Sequence, residues 1–527
     1  MKLATRRAPV RDGIGEAVLF RGRVFQGLAF VALAFLLLVA RYGWLQLVQH
    51  EEFSTRSESN RIKPRPVAPA RGLIYDRNGV LLADNRPAFR LELIPEQIPD
   101  LDSTLAELGT LIALDADEMD RFREQFRSAR RYHPVPLKFQ VDERELARLA
   151  VNQHRFPGVQ VTPYQSRHYV HGELYSHLIG YVGRIDTDDQ KRLDSRRYSA
   201  STHVGKTGLE RYYEDLLHGS AGLEHVETHA GGRPLRMLTR TPPDPGKHLY
   251  LSIDHRLQTA MALSFDGENG AAMAVDPRNG EVLGMVSLPG FDPNPFVGGI
   301  SRKGYAALLD SPDRPLFNRV VQGGYEPGST LKPMLVVAAL ETGVRKPADR
   351  TLSTGQYQLP GHSQVYRDWR AGGHGMVDAR EAIAQSVNTY FYRLAVDMGI
   401  DALSQYMAGF GFGEPTGMDV IGEGRGVLPT RAWKQASMRE NWYLGETVIS
   451  GIGQGYWVTT VPQLAQATAI LSEHGRHAPM HLLKATQSGF NTPLVAHEAG
   501  PVTQMPVRDR ANWEIAIQGM IDVVNAP

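Results

Sequence analysis

An almost uninterrupted run of apolar residues lies near the amino terminus. Residues 24–40 are apolar except for Gln26, and Arg41, Tyr42 and Trp44 follow directly. This run, extended by the apolar and aromatic positions after it, is just long enough to span a bilayer with aromatic side chains at the interface. The pattern therefore predicts a membrane-spanning helix.

The charges beside this run predict its orientation. The preceding stretch is basic, with few compensating acids; its charged residues are Lys2, Arg6, Arg7, Arg11, Arg21 and Arg23 against Asp12 and Glu16. Because basic flanks stay in the cytoplasm, we expect residues 1–23 to be a cytoplasmic tail, residues 24–44 the anchor, and the rest to lie outside. A cleaved signal peptide or a buried soluble helix is the alternative, but no small-x-small cleavage site follows the run.

Residues 45–240 have mixed, polar-rich patterning. Residues 71–82 predict a strand, an Asn-Gly turn and a second strand. Leucines recur at helical spacing between residues 101 and 153, and residues 177–182 look like a strand. Since no set of catalytic groups converges here, we expect residues 45–243 to form an elongated mixed α/β module that contacts other proteins, which we call the pedestal.

One segment of the pedestal imitates a functional motif. Lys206-Thr207-Gly208 resembles a phosphate-loop fragment, but the residues before it lack the glycines that such a loop needs. It also resembles the Lys-Thr-Gly element of serine acyltransferases, which should instead follow the nucleophile on a strand. The sequence therefore favours a structural role for this segment.

The clearest boundary in the chain is the Pro- and Gly-rich segment 241–246. Beyond it, residues 248–253 alternate like a strand, and residues 271–275 and 281–286 flank Asp-Pro-Arg-Asn-Gly, a strong hairpin signal. Helical patterns follow from residue 329 onward. We therefore expect residues 244–527 to form one large α+β domain, with an antiparallel sheet and a helical subdomain.

Composition narrows the chemistry. The chain has 527 residues, enough for two or three domains, and 22% of them are charged, which indicates an ordinary globular protein. A net charge of +1 offers no electrostatic case for binding nucleic acid. The absence of cysteine excludes disulfides, thiolate metal sites and cysteine nucleophiles.

A Ser-x-x-Lys motif opens a predicted buried helix. Ser329 and Lys332 lie three residues apart after a Pro-Gly pair, so on a helix their side chains share one face, and Pro333 falls in the first turn. A hydroxyl and an amine held together can form an activated nucleophile. The alternative is an N-cap serine beside a surface lysine.

A second polar motif follows at Ser386 and Asn388. Residues two apart on one helix point to nearly opposite sides, so these two can face a common cleft only if the backbone leaves helical geometry between two helices. Taken alone, the motif could simply cap the helix that begins near Thr389. The Ser-x-x-Lys motif upstream, together with the anchor, favours the catalytic interpretation.

The order Ser-x-x-Lys then Ser-x-Asn resembles that of penicillin-binding proteins and serine β-lactamases. The context is similar to the class B penicillin-binding proteins, and closest to their transpeptidases of cell elongation. The resemblance covers nearly the whole chain and rests, besides the anchor, on Arg71–Gly79, Gly205–Glu214, Tyr366-Arg-Asp-Trp369, Gly451–Trp457 and Pro462-Gln463.

The resemblance implies a D,D-transpeptidase that cross-links peptidoglycan stem peptides outside the inner membrane and is the target of β-lactams. Ser329 would be the nucleophile, Lys332 its base, and Ser386 and Asn388 would relay protons and hold the substrate amide. Because a free lysine is mostly charged near neutral pH, Lys332 would need a depressed pKa. The Ser329 N–H would supply half of an oxyanion hole.

The resemblance also implies partners and leaves alternatives. The pedestal should contact a polytopic SEDS-family glycosyltransferase and other elongation proteins.

A β-lactamase or β-lactam sensor would need a dedicated deacylation base, for which no motif is visible. No Lys-(Ser/Thr)-Gly element follows residues 451–457; the nearest segment is Lys484-Ala485-Thr486. We therefore expect a chain cut short, and a truncated, inactive protein that still binds the elongation complex is the alternative function.

Some relatives carry zinc near the active serine, bound by two aspartates, a histidine and a cysteine. Asp368 and His374 look like two of these ligands, whereas Ser353 and Val387 occupy the positions of the others. A structural zinc site normally closes with four ligands. We expect neither metal nor other cofactor, and Asp368 and His374 to form hydrogen bonds or an ion pair.

Overall fold

The computed structural model describes residues 13–48, 62–129, 131, 134–228 and 234–525. Backbone contacts divide the chain into two compact units. The first comprises residues 1–65 and 223–241, and the second comprises residues 66–222 and 242–527. The predicted domain boundaries after residues 23, 44 and 243 stay predictions.

The elements are as follows in chain order. The strands are β1 (Ile62–Val67), β2 (Ile74–Tyr75), β3 (Leu81–Leu93), β4 (Val135–Lys138), β5 (Val159–Tyr169), β6 (Val182–Arg184), β7 (His203–Gly205), β8 (Gly222–Thr228), β9 (Pro234–Thr241), β10 (His248–Leu251), β11 (Gly270–Val275), β12 (Val282–Leu288), β13 (Thr351–Ser353), β14 (Gln356–Gln358), β15 (Val365–Arg367), β16 (Gly375–Val377), β17 (Arg476–His477), β18 (Leu483–Gln487), β19 (Val495–Ala496) and β20 (Thr503–Gln504). The helices are α1 (Gly13–Gly43), α2 (Leu101–Leu111), α3 (Ala116–Ser128), α4 (Glu143–Asn152), α5 (Ser176–Ile179), α6 (Thr187–Arg192), α7 (Gly208–Tyr212), α8 (Glu214–Leu217), α9 (His255–Leu263), α10 (Asn294–Gly298), α11 (Arg302–Leu309), α12 (Lys332–Glu341), α13 (Ala379–Ala384), α14 (Asn388–Met398), α15 (Ile400–Ala408), α16 (Arg431–Met438), α17 (Leu444–Ser450), α18 (Val461–Ser472) and α19 (Arg510–Asn525).

The first unit contains the predicted anchor. Helix α1 continues into a π-helical turn at Trp44–Val48, and residues 18–46 have a mean hydropathy of 2.2 over their most apolar window. This helix is long and apolar enough to cross a membrane, and its large apolar side chains are exposed. The unit also holds an antiparallel pair, β8 and β9, extended by β1. Residues 1–12 of the predicted tail lie outside the described residues.

A large sheet organises the second unit. Its strands run in the order β19-β18-β10-β2-β3-β4, with β5 also paired to β3. All of these pairs are antiparallel except β10 with β2, which is parallel. Since β2 and β3 come from the predicted pedestal and β10 and β18 from the second half of the chain, one sheet joins the two segments.

The hairpin predicted in residues 71–82 is confirmed. Strands β2 and β3 pair antiparallel across a turn. The buried Asp76 carboxylate holds this turn because it accepts hydrogen bonds from the N–H groups of Asn78 (2.8 Å), Val80 (2.7 Å) and His255 (3.1 Å). The last of these bonds also ties the turn to the start of α9.

Other predicted elements are partly confirmed. Helices α2, α3 and α4 occupy the segment 101–153, with strand β4 inserted between them, and β11 and β12 form the predicted hairpin. The predicted strand at residues 177–182 is wrong: residues 176–179 form the helical turn α5, and β6 begins only at Val182. A short run of buried apolar residues has no periodicity that separates a strand from a helical turn.

The core beneath the Ser-x-x-Lys and Ser-x-Asn motifs is helical. All ten residues of α12 are buried, which explains why its sequence is apolar on every side. Helices α13, α14, α15 and α19 pack around it, with Phe391, Phe410 and Trp513 among the fully buried side chains. A rigid, close-packed core of this kind fixes the positions of side chains at the amino-terminal end of α12.

Candidate active site

Ser329 lies in a tight helical turn directly before α12. Residues 328–331 form a 3₁₀ helix, and α12 then begins at Lys332 with Pro333 in its first turn. The N-cap position of α12 is Leu331, which has no capping side chain. The alternative interpretation of Ser329 as an N-cap is therefore wrong, because the 3₁₀ turn moves the start of the α-helix beyond it.

Two glycines bring a second loop against this turn. Gly328 has a φ of +55°, and its N–H donates to the Gly453 carbonyl over 2.9 Å. A Cβ atom on Gly453, whose φ is +71°, would lie 2.2 Å from the Gly328 carbonyl oxygen. Tyr325 and Thr459 exchange backbone hydrogen bonds of 2.9 and 2.8 Å beside them. The backbone that presents Ser329 is therefore held by residues more than a hundred positions away.

The backbone leaves helical geometry at Ser386, between two helices, as predicted. Helix α13 ends at Ala384, Ser386 has a φ of +51°, and α14 begins at Asn388. A positive φ is uncommon for a residue other than glycine, so tertiary packing must hold it. This break places the Ser386 and Asn388 side chains on one side, which a continuous helix would prevent.

The four predicted residues converge on the Lys332 ammonium. Its Nζ donates to the Ser386 carbonyl (3.0 Å), to Ser386 Oγ (2.9 Å) and to Asn388 Oδ1 (2.7 Å). Ser386 Oγ donates in turn to Ser329 Oγ over 3.1 Å. Ser386 thus forms a bridge between the two residues of the Ser-x-x-Lys motif, an arrangement that their spacing alone did not predict.

Lys332 is almost fully buried, with 1% of its surface exposed, and its Nζ lies 5.2 Å from the Phe391 ring centroid. Burial lowers the pKa of Lys332 from 10.5 to about 8, against the smaller raising effect of the Asp368 charge. A substantial fraction of this amine is therefore neutral near pH 8. This is the protonation behaviour that a base for Ser329 requires.

Asp368 and His374 lie behind the Ser386 turn. Asp368 Oδ2 accepts hydrogen bonds from the N–H and Oγ1 of Thr389, at 2.8 and 2.9 Å. His374 Nε2 is 3.4 Å from Asp368 Oδ1. Burial raises the pKa of Asp368, but the Thr389 hydrogen bonds and the nearby His374 outweigh it, so the pKa is lowered overall. The sequence motifs did not identify Thr389 as a partner.

The donor set here does not fit a closed zinc site. Of the four positions that correspond to zinc ligands, two carry ligating side chains, Asp368 and His374. Val387 is apolar, and the Ser353 hydroxyl is already 2.7 Å from Thr389 Oγ1. In the described part of the chain, no group of three or more His, Asp or Glu side chains is arranged to hold a metal ion.

Lys206 of the Lys-Thr-Gly imitation and Lys484 of the nearest downstream segment both form ion pairs within the fold. Lys206 pairs with Asp186 (2.7 Å) and with Asp189, and Thr207 precedes helix α7. Lys484 lies on β18, with Nζ 3.4 Å from Glu281. The structural interpretation of Lys206 agrees with these contacts.

Comparison with known proteins identifies two domain families. Residues 66–251 match the penicillin-binding protein dimerisation domain, and residues 270–527 match the penicillin-binding protein transpeptidase domain. The peptidoglycan D,D-transpeptidase MrdA of Acinetobacter baumannii is 41% identical over 98% of this chain and 77% of its own length. MrdA of Escherichia coli K12 is 42% identical over 98% of this chain and 82% of its own length.

Solved structures are similar as well. A complex between penicillin-binding protein 2 and MreC from Helicobacter pylori has a TM-score of 0.78 at 28% identity, covering 88% of this chain and 85% of that one. A structure of a peptidoglycan synthase complex that coordinates polymerization and crosslinking has a TM-score of 0.66 at 31% identity, covering 96% of this chain and 85% of that one.

Together these features define a penicillin-binding protein with a transpeptidase domain. Within that class, the chain belongs to the family of the peptidoglycan D,D-transpeptidase MrdA, penicillin-binding protein 2.

Proposed function

We propose that the chain is a peptidoglycan D,D-transpeptidase in which Ser329 is the nucleophile, Lys332 the base, and Ser386 and Asn388 the residues that relay protons and hold the substrate. The observation that carries this assignment is the hydrogen-bonded series from Ser329 Oγ through Ser386 Oγ to Lys332 Nζ, with Asn388 Oδ1 on the same amine. Family membership supplies the reaction; the geometry supports the roles.

In the first step, Ser329 Oγ attacks the carbonyl carbon of the penultimate D-Ala of a stem peptide. When Lys332 is neutral, the two hydroxyls turn so that Ser329 Oγ donates to Ser386 Oγ and Ser386 Oγ donates to Lys332 Nζ. The Ser329 proton then passes to Ser386 Oγ as the Ser386 proton passes to Lys332 Nζ. The oxyanion accepts a hydrogen bond from the Ser329 N–H, which lies at the start of a helix where the first N–H groups lack intrahelical partners. Collapse of the intermediate breaks the peptide bond, and the departing D-Ala amine takes the proton back from Lys332.

In the second step, the amine of a neighbouring stem peptide attacks the Ser329 ester. Lys332 accepts a proton from this amine through Ser386, and the new amide bond forms as the proton returns to Ser329 Oγ. The cross-link is thus made without a cofactor, and the serine and lysine end in their starting protonation states. A β-lactam ring would acylate the same oxygen.

The test is labelling with a fluorescent penicillin. The product of the complete gene that encodes this sequence should be labelled in membranes, and Ser329→Ala should abolish labelling. Ser472→Ala, which changes an exposed hydroxyl at the end of α18, is the matched control and should label like the parent. A folded parent protein that takes no label, or a labelled Ser329→Ala variant, refutes the assignment.

We also infer that α1 anchors the chain in the inner membrane with its amino terminus in the cytoplasm. The basic residues before the apolar helix support this orientation. Because the chain has no cysteine, single-cysteine variants can test it. In spheroplasts, a membrane-impermeant maleimide should label Ser472→Cys and spare Ala4→Cys; the reverse pattern would contradict the orientation.

The partner we infer is a SEDS-family glycosyltransferase, contacted through the anchor and the pedestal, with an MreC-like protein as a second partner. The support is the likeness to relatives solved in a complex with MreC and in a peptidoglycan synthase complex. Co-purification from membranes should recover both partners with the parent chain. Replacing residues 24–44 by an unrelated membrane helix tests the contribution of the anchor, and unchanged recovery would assign binding to the pedestal alone.

A further inference from the structure

A buried polar cluster lies on the far side of the Ser386 turn from Lys332. It consists of Ser353 at the end of β13, Asp368 after β15, His374 before β16, and Thr389 in the first turn of α14; we call it the Asp368 cluster. Ser353, Asp368 and Thr389 are between 2 and 8% exposed, and the His374 side chain is fully buried. Polar groups this deeply buried are costly unless they bond to one another.

The bonds of the cluster meet at Thr389. Its N–H and its hydroxyl both donate to Asp368 Oδ2, at 2.8 and 2.9 Å. Because the Thr389 hydroxyl donates there, it accepts from Ser353 Oγ, 2.7 Å away, and Ser353 Oγ in turn accepts from the His374 N–H at 3.2 Å. Since Thr389 directly follows Asn388, these bonds fix the backbone that carries the Asn388 amide.

Residues 368–374 also contact the residue that precedes Ser386. The His374 ring Nδ1 is 3.0 Å from Gln385 Oε1, and the indole N–H of Trp369 donates to the Gln385 carbonyl over 3.1 Å. Gln385 directly precedes Ser386, so residues on both flanks of the strained Ser386 backbone are bonded to the segment 368–374. A residue at a φ of +51° keeps that conformation only when its surroundings hold it.

We propose that Asp368 is a positioning residue, which, with Ser353, His374 and Thr389, holds Ser386 and Asn388 against Lys332 by hydrogen bonds and without a metal ion. The inference rests on the proposed function, which gives Ser386 and Asn388 their catalytic roles. The cluster differs in this respect from the zinc sites of some relatives, because Ser353 and Val387 occupy the positions of two zinc ligands. In this chain the Ser353 hydroxyl bonds to Thr389, and the buried His374 Nε2 faces Asp368 Oδ1 at 3.4 Å as a charge contact without a hydrogen bond.

The first experiment measures hydrogen exchange at the amides of residues 386–389. Asp368→Asn removes the charge that accepts two bonds from Thr389, so exchange there should accelerate about ten- to a hundredfold, the range expected for losing a hydrogen bond to a charged group. Thr389→Val should show a smaller acceleration of amide exchange. This variant replaces Asp368→Asn in the experiment if Asp368→Asn fails to fold. Asp401→Asn, which changes an exposed carboxylate paired with Arg431, is the control and should leave the segment unchanged.

The second experiment measures acylation by fluorescent penicillin against pH. Asp368→Asn should slow acylation about tenfold or more because Ser386 and Asn388 lose their fixed position. It should also move the acid limb of the profile to lower pH, because the Asp368 charge raises the pKa of Lys332 in the parent. A merely loosened fold would slow the reaction at every pH and leave the limb in place.

The third experiment measures metal content. The purified protein should contain well under one zinc ion per chain, and incubation with EDTA should alter neither exchange at residues 386–389 nor acylation. Near-stoichiometric zinc whose removal accelerates exchange overturns the proposal, as does an Asp368→Asn variant within twofold of the parent in exchange. If the parent itself is not acylated, the proposed function fails, while exchange and metal content still decide the role of Asp368.

Discussion

The rate of acylation by a β-lactam should report the protonation of one buried amine. In the proposed mechanism Lys332 must be neutral to accept the Ser329 proton, and burial lowers its pKa to about 8. Lowering the pH below this value protonates the amine and removes the base. The perturbation is therefore a change of pH alone, with no substitution that could disturb packing.

The magnitude follows from the pKa. An amine that titrates at about 8 is neutral in roughly 1% of molecules at pH 6, about 9% at pH 7 and about half at pH 8. If acylation follows the neutral fraction, its rate should rise about fiftyfold between pH 6 and pH 8 and level off above pH 9. A lysine at its ordinary pKa of 10.5 would instead give a rate that still climbs tenfold per pH unit at pH 9.

The assay is the second-order rate constant for labelling by a fluorescent penicillin between pH 5.5 and 9.5, at constant ionic strength. The Ser329→Ala variant measures background labelling at each pH. Circular dichroism at the two extremes controls for unfolding. A rate independent of pH between 6 and 8, or one that rises tenfold per unit to pH 9.5 without a plateau, would refute the role of Lys332 as a buried, depressed base.

Two further predictions test the support of the site. Gly453→Ala places a Cβ atom 2.2 Å from the Gly328 carbonyl oxygen, so it should slow acylation at least tenfold. The control is Gly361→Ala, at a similar φ of +76° but with no atom within 4 Å of the new Cβ, and it should not slow acylation. Equal acylation rates for the two variants would contradict the role of the Gly453–Gly328 contact. Glu210→Gln leaves the buried Arg167 guanidinium without a carboxylate and leaves Arg71 with Glu214 alone, so it should cost about 3–5 kcal/mol in denaturant unfolding. Glu107→Gln, at an exposed pair with Arg155, should cost about 0.5 kcal/mol or less; a similarly small effect at Glu210 would contradict the role of the buried pair.

Much of the site could be predicted because its residues stand in short local motifs. The spacing of Ser329 and Lys332 requires only one helical turn, and the break between Ser386 and Asn388 follows from the geometry of residues two apart on a helix. The anchor and the two hairpins are likewise local patterns of hydrophobicity and turn residues. In these segments, sequence neighbours determine the structure.

The remaining features depend on contacts between distant segments. The strand predicted at residues 177–182 is a helical turn because packing decides the conformation of a short buried run. The sequence indicated Asp368 as one of two ligands of an incomplete metal site and predicted hydrogen bonds or an ion pair for it, without naming Thr389. Its bonds to Thr389 require β13, β15 and α14 to meet.

The sequence by itself therefore determined the candidate groups of the site and the apolar helix that precedes them. Only the tertiary structure decided that Ser386 bridges Ser329 to Lys332 and that Lys332 is buried. The physical reason is that a pKa and a hydrogen-bonded series depend on desolvation and on distances between side chains more than fifty residues apart, and local patterns carry neither.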